Sequence, residues 1–144
     1  MPIPALDENG LLPPGLHLAG MSEIEDRFGK STPRRQELFA RLRMFVDLAR
    51  HCGALRIFVN GSSVTAKPEP GDVDVVVWTS EKYFELLEQV DHQAVLLEEM
   101  FDRRIPEEAF WVDAEWKWNG WLEFFSRVRE NLNKRKGPVE ENSI

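Results

Sequence analysis

Two short apolar runs, LRIFVNG at 55–61 and DVDVVVW at 72–78, limit what this chain can become. In an extended segment alternate residues face opposite ways. Ile57 and Val59 therefore share one side while Phe58 takes the other, and the first run is apolar on both. Strands of that kind belong in the middle of a sheet with a layer on each face. The second run places Val73, Val75 and Val77 on a single face. The stretch between them, SSVTAKPEP, is built from turn and loop residues.

Helical patterns surround these strands. SEIEDRFG at 22–29 predicts a short helix capped by Ser22 and stopped by Gly29. Thr32 then caps a longer helix with Pro33 in its first turn. Leu38, Leu42, Phe45, Val46 and Ala49 give that helix one apolar stripe, and it ends at His51-Cys52-Gly53. Its arginines 34, 35, 41 and 43 read as a solvated face. Residues 80–104 predict helix in two pieces around Asp91-His92, and AFWVDAEW at 109–116 alternates as a third strand. GWLEFFSRVRENL at 120–132 predicts a last amphipathic helix. The order is α-β-β-α-β-α, a small α/β (α+β) domain with a mixed sheet flanked by helices. Residues 1–20, rich in Pro and Gly, read as an extended arm, residues 21–132 as the domain, and residues 133–144 as a polar tail.

With 144 residues the chain suits one domain. Its formal net charge of −7 argues against sequence-independent nucleic-acid binding as its main work, because such binding rests on Lys and Arg neutralising phosphates. Cys52 is the single cysteine, so no internal disulfide forms and no Cys/His cluster has zinc spacing. No run reaches membrane-spanning length and the first residues lack a signal pattern, so the expected setting is the cytoplasm, without a membrane partner. FWVDAEWKWNGWLEFF holds four of the five tryptophans. Trp111, Phe124 and Phe125 read as packing residues. Trp116, Trp118 and Trp121 are open to a stacking or interface role. Lys134-Arg135-Lys136 reads as solvated charge.

Asp72 and Asp74 stand two apart at the start of the second strand and so face the same way, about 7 Å from each other. Two ionised carboxylates at that spacing repel unless a cation lies between them. Mg²⁺ favours such oxygens and completes its shell with substrate phosphates. Gly61, without a Cβ, lets backbone approach a phosphate, and Ser62 and Ser63 bring hydroxyl and amide donors. Lys67 adds a cation in the same loop. Donors for phosphate and acceptors for metal thus lie on the two sides of one connection.

Gly61-Ser62, nine intervening residues, Asp72-Val73-Asp74 and then Val75-Val76-Val77 resemble the nucleotidyltransferase domain of the polymerase-β superfamily. LPPGLHLAG, GSSVTAKPEPGDVDVVV and WLEFFSRVRENLNKRKG extend the likeness to a bacterial family of small members over most of residues 11–137. The resemblance implies a polymerase-β-type fold and transfer of a nucleoside monophosphate from NTP to a protein or RNA acceptor with Mg²⁺ or Mn²⁺. Small members often act as antitoxins on a partner toxin. It also implies a third carboxylate on a later strand, for which Asp113 is the choice and Glu115 the alternative. The chain departs from the pattern at Ser63 and at Pro138, the latter implying a missing or altered final strand. A catalytically degenerate module that binds a partner protein is the other reading.

Overall fold

The computed structural model describes residues 3–60, 64–66, 70, 73–104, 108–128, 131–135 and 137–141. For 108, 127, 128 and 131–135 it describes the backbone alone. Gly61, Ser62, Ser63, Lys67 and Asp72 lie outside the described residues.

Among the described residues there are seven strands and five helices. They are β1 (His17–Ala19), α1 (Met21–Phe28), α2 (Pro33–His51), β2 (Arg56–Asn60), β3 (Asp74–Trp78) and α3 (Glu81–Glu88), followed by α4 (His92–Arg103), β4 (Glu108–Val112), α5 (Glu115–Ser126), β5 (Arg127–Val128), β6 (Asn131–Arg135) and β7 (Val139–Glu141). Five strands form one mixed sheet in the order β1-β7-β2-β3-β4. β2 runs antiparallel to β3 and to β7, whereas β3–β4 and β1–β7 are parallel pairs. β5 and β6 form a separate antiparallel pair.

Alternation along the central strands splits the interior into two cores. Ile57, Val59, Val75, Val77 and Ala109 face a layer built from α1 to α4, with Ile24, Leu38, Leu42, Phe45 and Leu97 buried against them. Phe58, Val76 and Val112 face the other way and bury Trp118 of α5, joined by Phe110, Trp121 and Phe125. The first core is mostly aliphatic and the second mostly aromatic. The Phe58 and Trp118 rings meet edge-on at 5.0 Å, and Phe110 lies 4.4 Å from Trp121.

The expected start of α2 holds: Thr32 Oγ1 accepts from the Arg35 amide at 3.1 Å, with Pro33 in the first turn. Gly53 follows the helix with φ +80°, a conformation that costs glycine little. Asp91 caps α4 by accepting from the Ala94 amide at 3.0 Å, so the helical stretch divides where Asp91-His92 predicted. Other expectations are corrected. α1 starts at Met21 after Gly20, one residue before its predicted Ser22 cap. α5 begins at Glu115, five residues earlier than predicted, and passes straight through Asn119-Gly120. The chain predicted as the last turns of that helix forms β5 and β6 instead.

The first and last described segments both pack into the fold. Ile3 and Leu12 are buried, and β1 takes an edge of the sheet. Beyond Pro138 the chain forms β7, which inserts between β1 and β2, so a final strand is present. Its Glu141 is fully buried and pairs with Arg50 of α2 at 3.0 Å. Glu140, on the opposite face, takes Arg56 in a two-pronged contact at 2.7 and 2.8 Å.

A candidate acidic site at the head of the central strands

β2 ends at Asn60 and β3 begins at Asp74, and the two residues are paired across the antiparallel ladder. On the other side of β3, position 74 is in register with Glu108, the first residue of β4. Asn60, Asp74 and Glu108 thus form one row across three neighbouring strands. The row lies on the sheet face that carries Phe58, Val76 and Phe110 further along, the α5 face. Asn60 is fully buried, and its Nδ2 donates to the Phe125 carbonyl of α5 at 3.0 Å. Asp74 is half-buried. The covalent order puts Gly61 and Ser62 immediately after Asn60, and Asp72 two residues before Asp74.

The structure does not bring Asp113 or Glu115 to this row. β4 ends at Val112, which is in register with Trp78 at the far end of β3. Asp113 follows in a bend, five residues along from Glu108. At the rise of a strand that is about 17 Å from the level of Asp74. Asp113 is exposed and accepts from Lys117 Nζ at 2.7 Å, one helical turn away. That hydrogen bond, together with the lysine's charge, holds its carboxyl below the usual aspartate value. Glu115 opens α5, also exposed. The sequence reading ran the third strand on to residue 116 and so placed its carboxylates beyond the strand's real end. Position 108 was missed because the alternation was counted from Ala109. The signal was one residue upstream, where Glu108, Phe110 and Val112 continue the period.

Among the described residues no group of three or more His, Cys, Asp or Glu side chains is gathered closely enough to hold a metal ion. Nor is any helix among them long and apolar enough to cross a membrane. The aromatic segment divides unevenly. Trp118 is fully buried, while Trp116 and Phe124 are 73% and 62% exposed, and Trp111 is 41% exposed against Phe84. Trp111 and Phe124 are therefore not the packing residues they were expected to be.

No curated protein and no solved structure matches the chain. One family does, over residues 4–142, which is nearly all of the sequence. The acidic row and all the strands, β1 to β7, fall inside that match, and the chain belongs to the family of unknown function DUF6932.

Proposed function

We propose that the chain is a metal-dependent nucleotidyltransferase that moves a nucleoside monophosphate from NTP to a protein or RNA acceptor. The observation that supports the reading is the row Asn60–Asp74–Glu108 at the head of three neighbouring strands of the mixed sheet. The Gly61-Ser62 pair follows one member of the row directly in the chain, and Asp72 precedes another by two residues. Carboxylates are hard oxygen donors of the kind that Mg²⁺ and Mn²⁺ prefer. In this reading Asp72 and Asp74 hold the metal that meets the NTP phosphates, with Gly61, Ser62, Ser63 and Lys67 as phosphate donors. In this reading the third carboxylate is Glu108, which shares the register of Asp74, rather than Asp113. The acceptor oxygen bonds to the α-phosphorus as the bond to pyrophosphate breaks, and two ions can stabilise the attacking and leaving oxygens. A partner toxin is one protein acceptor that this reading admits.

Asp74→Asn provides the test. Wild type with millimolar Mg²⁺ and NTP should melt several degrees higher than without them, because a ligand of the folded state stabilises it. The variant should lose that shift and should no longer transfer label from α-labelled NTP to a lysate component. Glu108→Gln should also lose transfer, and Asp113→Asn should retain it. An unchanged metal–nucleotide shift in Asp74→Asn would defeat the assignment.

The exposure of Trp116, Phe124 and the Trp111–Phe84 pair favours the second reading, a module that binds a partner protein. The labelling experiment separates the two. A binding module captures its partner with or without metal and transfers nothing.

A further inference from the structure

The connection between β2 and β3, residues 61–73, carries Ser62, Lys67 and Asp72. Binding groups must be held to within about 0.5 Å, and a loop achieves that only where rigid elements support it. Three described points of this connection are tied to the rest of the fold. The Thr65 carbonyl accepts from Arg35 Nη2 at 2.7 Å. The Ala66 amide donates to the Gly10 carbonyl at 2.9 Å. Further along, the Pro70 carbonyl accepts from Arg34 Nε at 3.2 Å. Val64, 2% exposed, adds an apolar anchor in the aliphatic core.

Two of the ties come from neighbouring residues in the first turn of α2, just after its Thr32 cap. Arg35 is only 3% exposed, so the expectation of a solvated arginine fails at this position. A buried cation is costly unless its donors are used. Its Nη1 donates to the carbonyl of Phe28, the last residue of α1, at 3.0 Å. Arg35 therefore joins the end of α1 to the loop. Arg34 reaches Pro70 while its Nη1 lies 3.8 Å from Glu37 of the next turn.

The third tie comes from the N-terminal segment. The Gly10 amide donates to the Asp7 carbonyl at 2.9 Å, and the Asp7 carboxylate accepts from the Asn9 and Leu11 amides at 2.8 and 3.0 Å. Leu12, buried just beyond, fixes this turn to the core. Gly10 has φ +75°, and a Cβ there would lie 2.8 Å from the Ala66 Cβ. The two segments meet where there is no room for a side chain.

We infer that Gly10, Arg34 and Arg35 are positioning residues, through which the N-terminal segment and the start of α2 set the placement of the β2–β3 loop beside the acidic row. What the loop holds rests on the nucleotidyltransferase reading; how it is held does not. All three act on loop backbone, by two carbonyls and one amide. A misplacement of about 1 Å at a site can cost about a hundredfold, so losing one tie is enough to be measured.

The test compares the full chain with Arg34→Ala and Gly10→Ala. Amide exchange is followed through residues 61–73, with β2 and β3 as internal controls. Both variants should speed exchange in the loop at least about tenfold and leave 57–59 and 75–77 as in wild type. The concentration of metal–NTP that gives half the thermal shift should rise at least about tenfold. Arg34→Lys, which keeps a donor near Pro70, should recover most of that loss. A residue that only stabilised the fold would lower the melting temperature and move neither the loop's exchange nor the nucleotide midpoint. Failure of the nucleotidyltransferase reading shows in the wild type, as no metal–nucleotide shift at all. Failure of the inference shows in the variants. Loop exchange at the wild-type rate in both overturns it, and so does a wild-type nucleotide midpoint beside faster exchange.

Discussion

Two glycines show how far a single residue's surroundings decide its worth. Gly120 looks in the sequence like a helix boundary, since Asn-Gly is a strong turn signal. In the fold it sits inside α5, exposed, and a Cβ there would meet nothing within 4 Å. Glycine costs a helix interior about 1 kcal/mol relative to alanine. Gly120→Ala should therefore raise the melting temperature by about 3 °C, read by circular dichroism. Gly137 is the reverse case. A Cβ at that position would lie 2.3 Å from the Pro13 carbonyl, 2.4 Å from that of Gly15 and 2.5 Å from His17 Nε2. Two of those three atoms are backbone, held by the return of the N-terminal segment to β7. Gly137→Ala should destabilise by about 3 kcal/mol in urea titration, at the upper end of what overpacking costs. Nothing local in NKRKGPVEEN announces this, because the crowding comes from residues more than 100 positions away.

At the level of elements, local signals were a good guide where the chain decides its own conformation. Thr32-Pro33, Asp91 and Gly53 carry their chemistry with them, so α2 and α4 were legible in outline. β2 announced itself by apolar residues on both faces, and β3 by the valines that share one face. β7 could not do so, since Val-Glu-Glu has one apolar residue in three. Those two glutamates are buried where Arg50 and Arg56, from α2 and β2, meet them. The candidate acidic row divided the same way. Asp74 was placed by its own strand, whereas its partner across β3 depended on where β4 begins. A prediction belongs to β7. Arg50→Met keeps much of the side chain's apolar reach but leaves the fully buried Glu141 without that cation. Removing one member of a buried pair typically costs about 3–5 kcal/mol. Arg50→Met should lose about that much in urea unfolding, and amide exchange at 139–141 should speed up ahead of β3. Equal protection of the two strands would mean that the ion pair does not hold β7.

For the whole molecule, the unequal layers set how stability responds to pH. The thick α1–α4 side encloses two weak acids, Cys52 and Tyr83, 1% and 3% exposed. Burial pushes the Cys52 thiol up, aided by Asp91, and pushes the Tyr83 phenol up, aided by Glu98. Both groups keep their protons in the folded state at pH values where the unfolded chain has begun to release them. The unfolded state then binds fewer protons, so stability falls with rising pH. Their full contribution is present below the unfolded values, about 8.5 for the thiol and about 10 for the phenol, and is lost as pH climbs past each. Every pH unit above its unfolded value costs up to about 1.4 kcal/mol for a group that stays protonated in the fold. Urea midpoints should therefore hold level from pH 7 to about 8 and drop steeply between about 9 and 11. Tyr83→Phe removes the phenol while preserving the ring that meets Phe101 edge-on at 6.1 Å. It should flatten the upper part of that decline, and Cys52→Ala the lower. If both variants follow the wild-type curve, the alkaline loss has another origin, such as the Arg56–Glu140 and Lys30–Asp26 cations. Those too are shifted upward, but their ordinary values lie at and above 10.5, so their losses would begin only at higher pH than the thiol's.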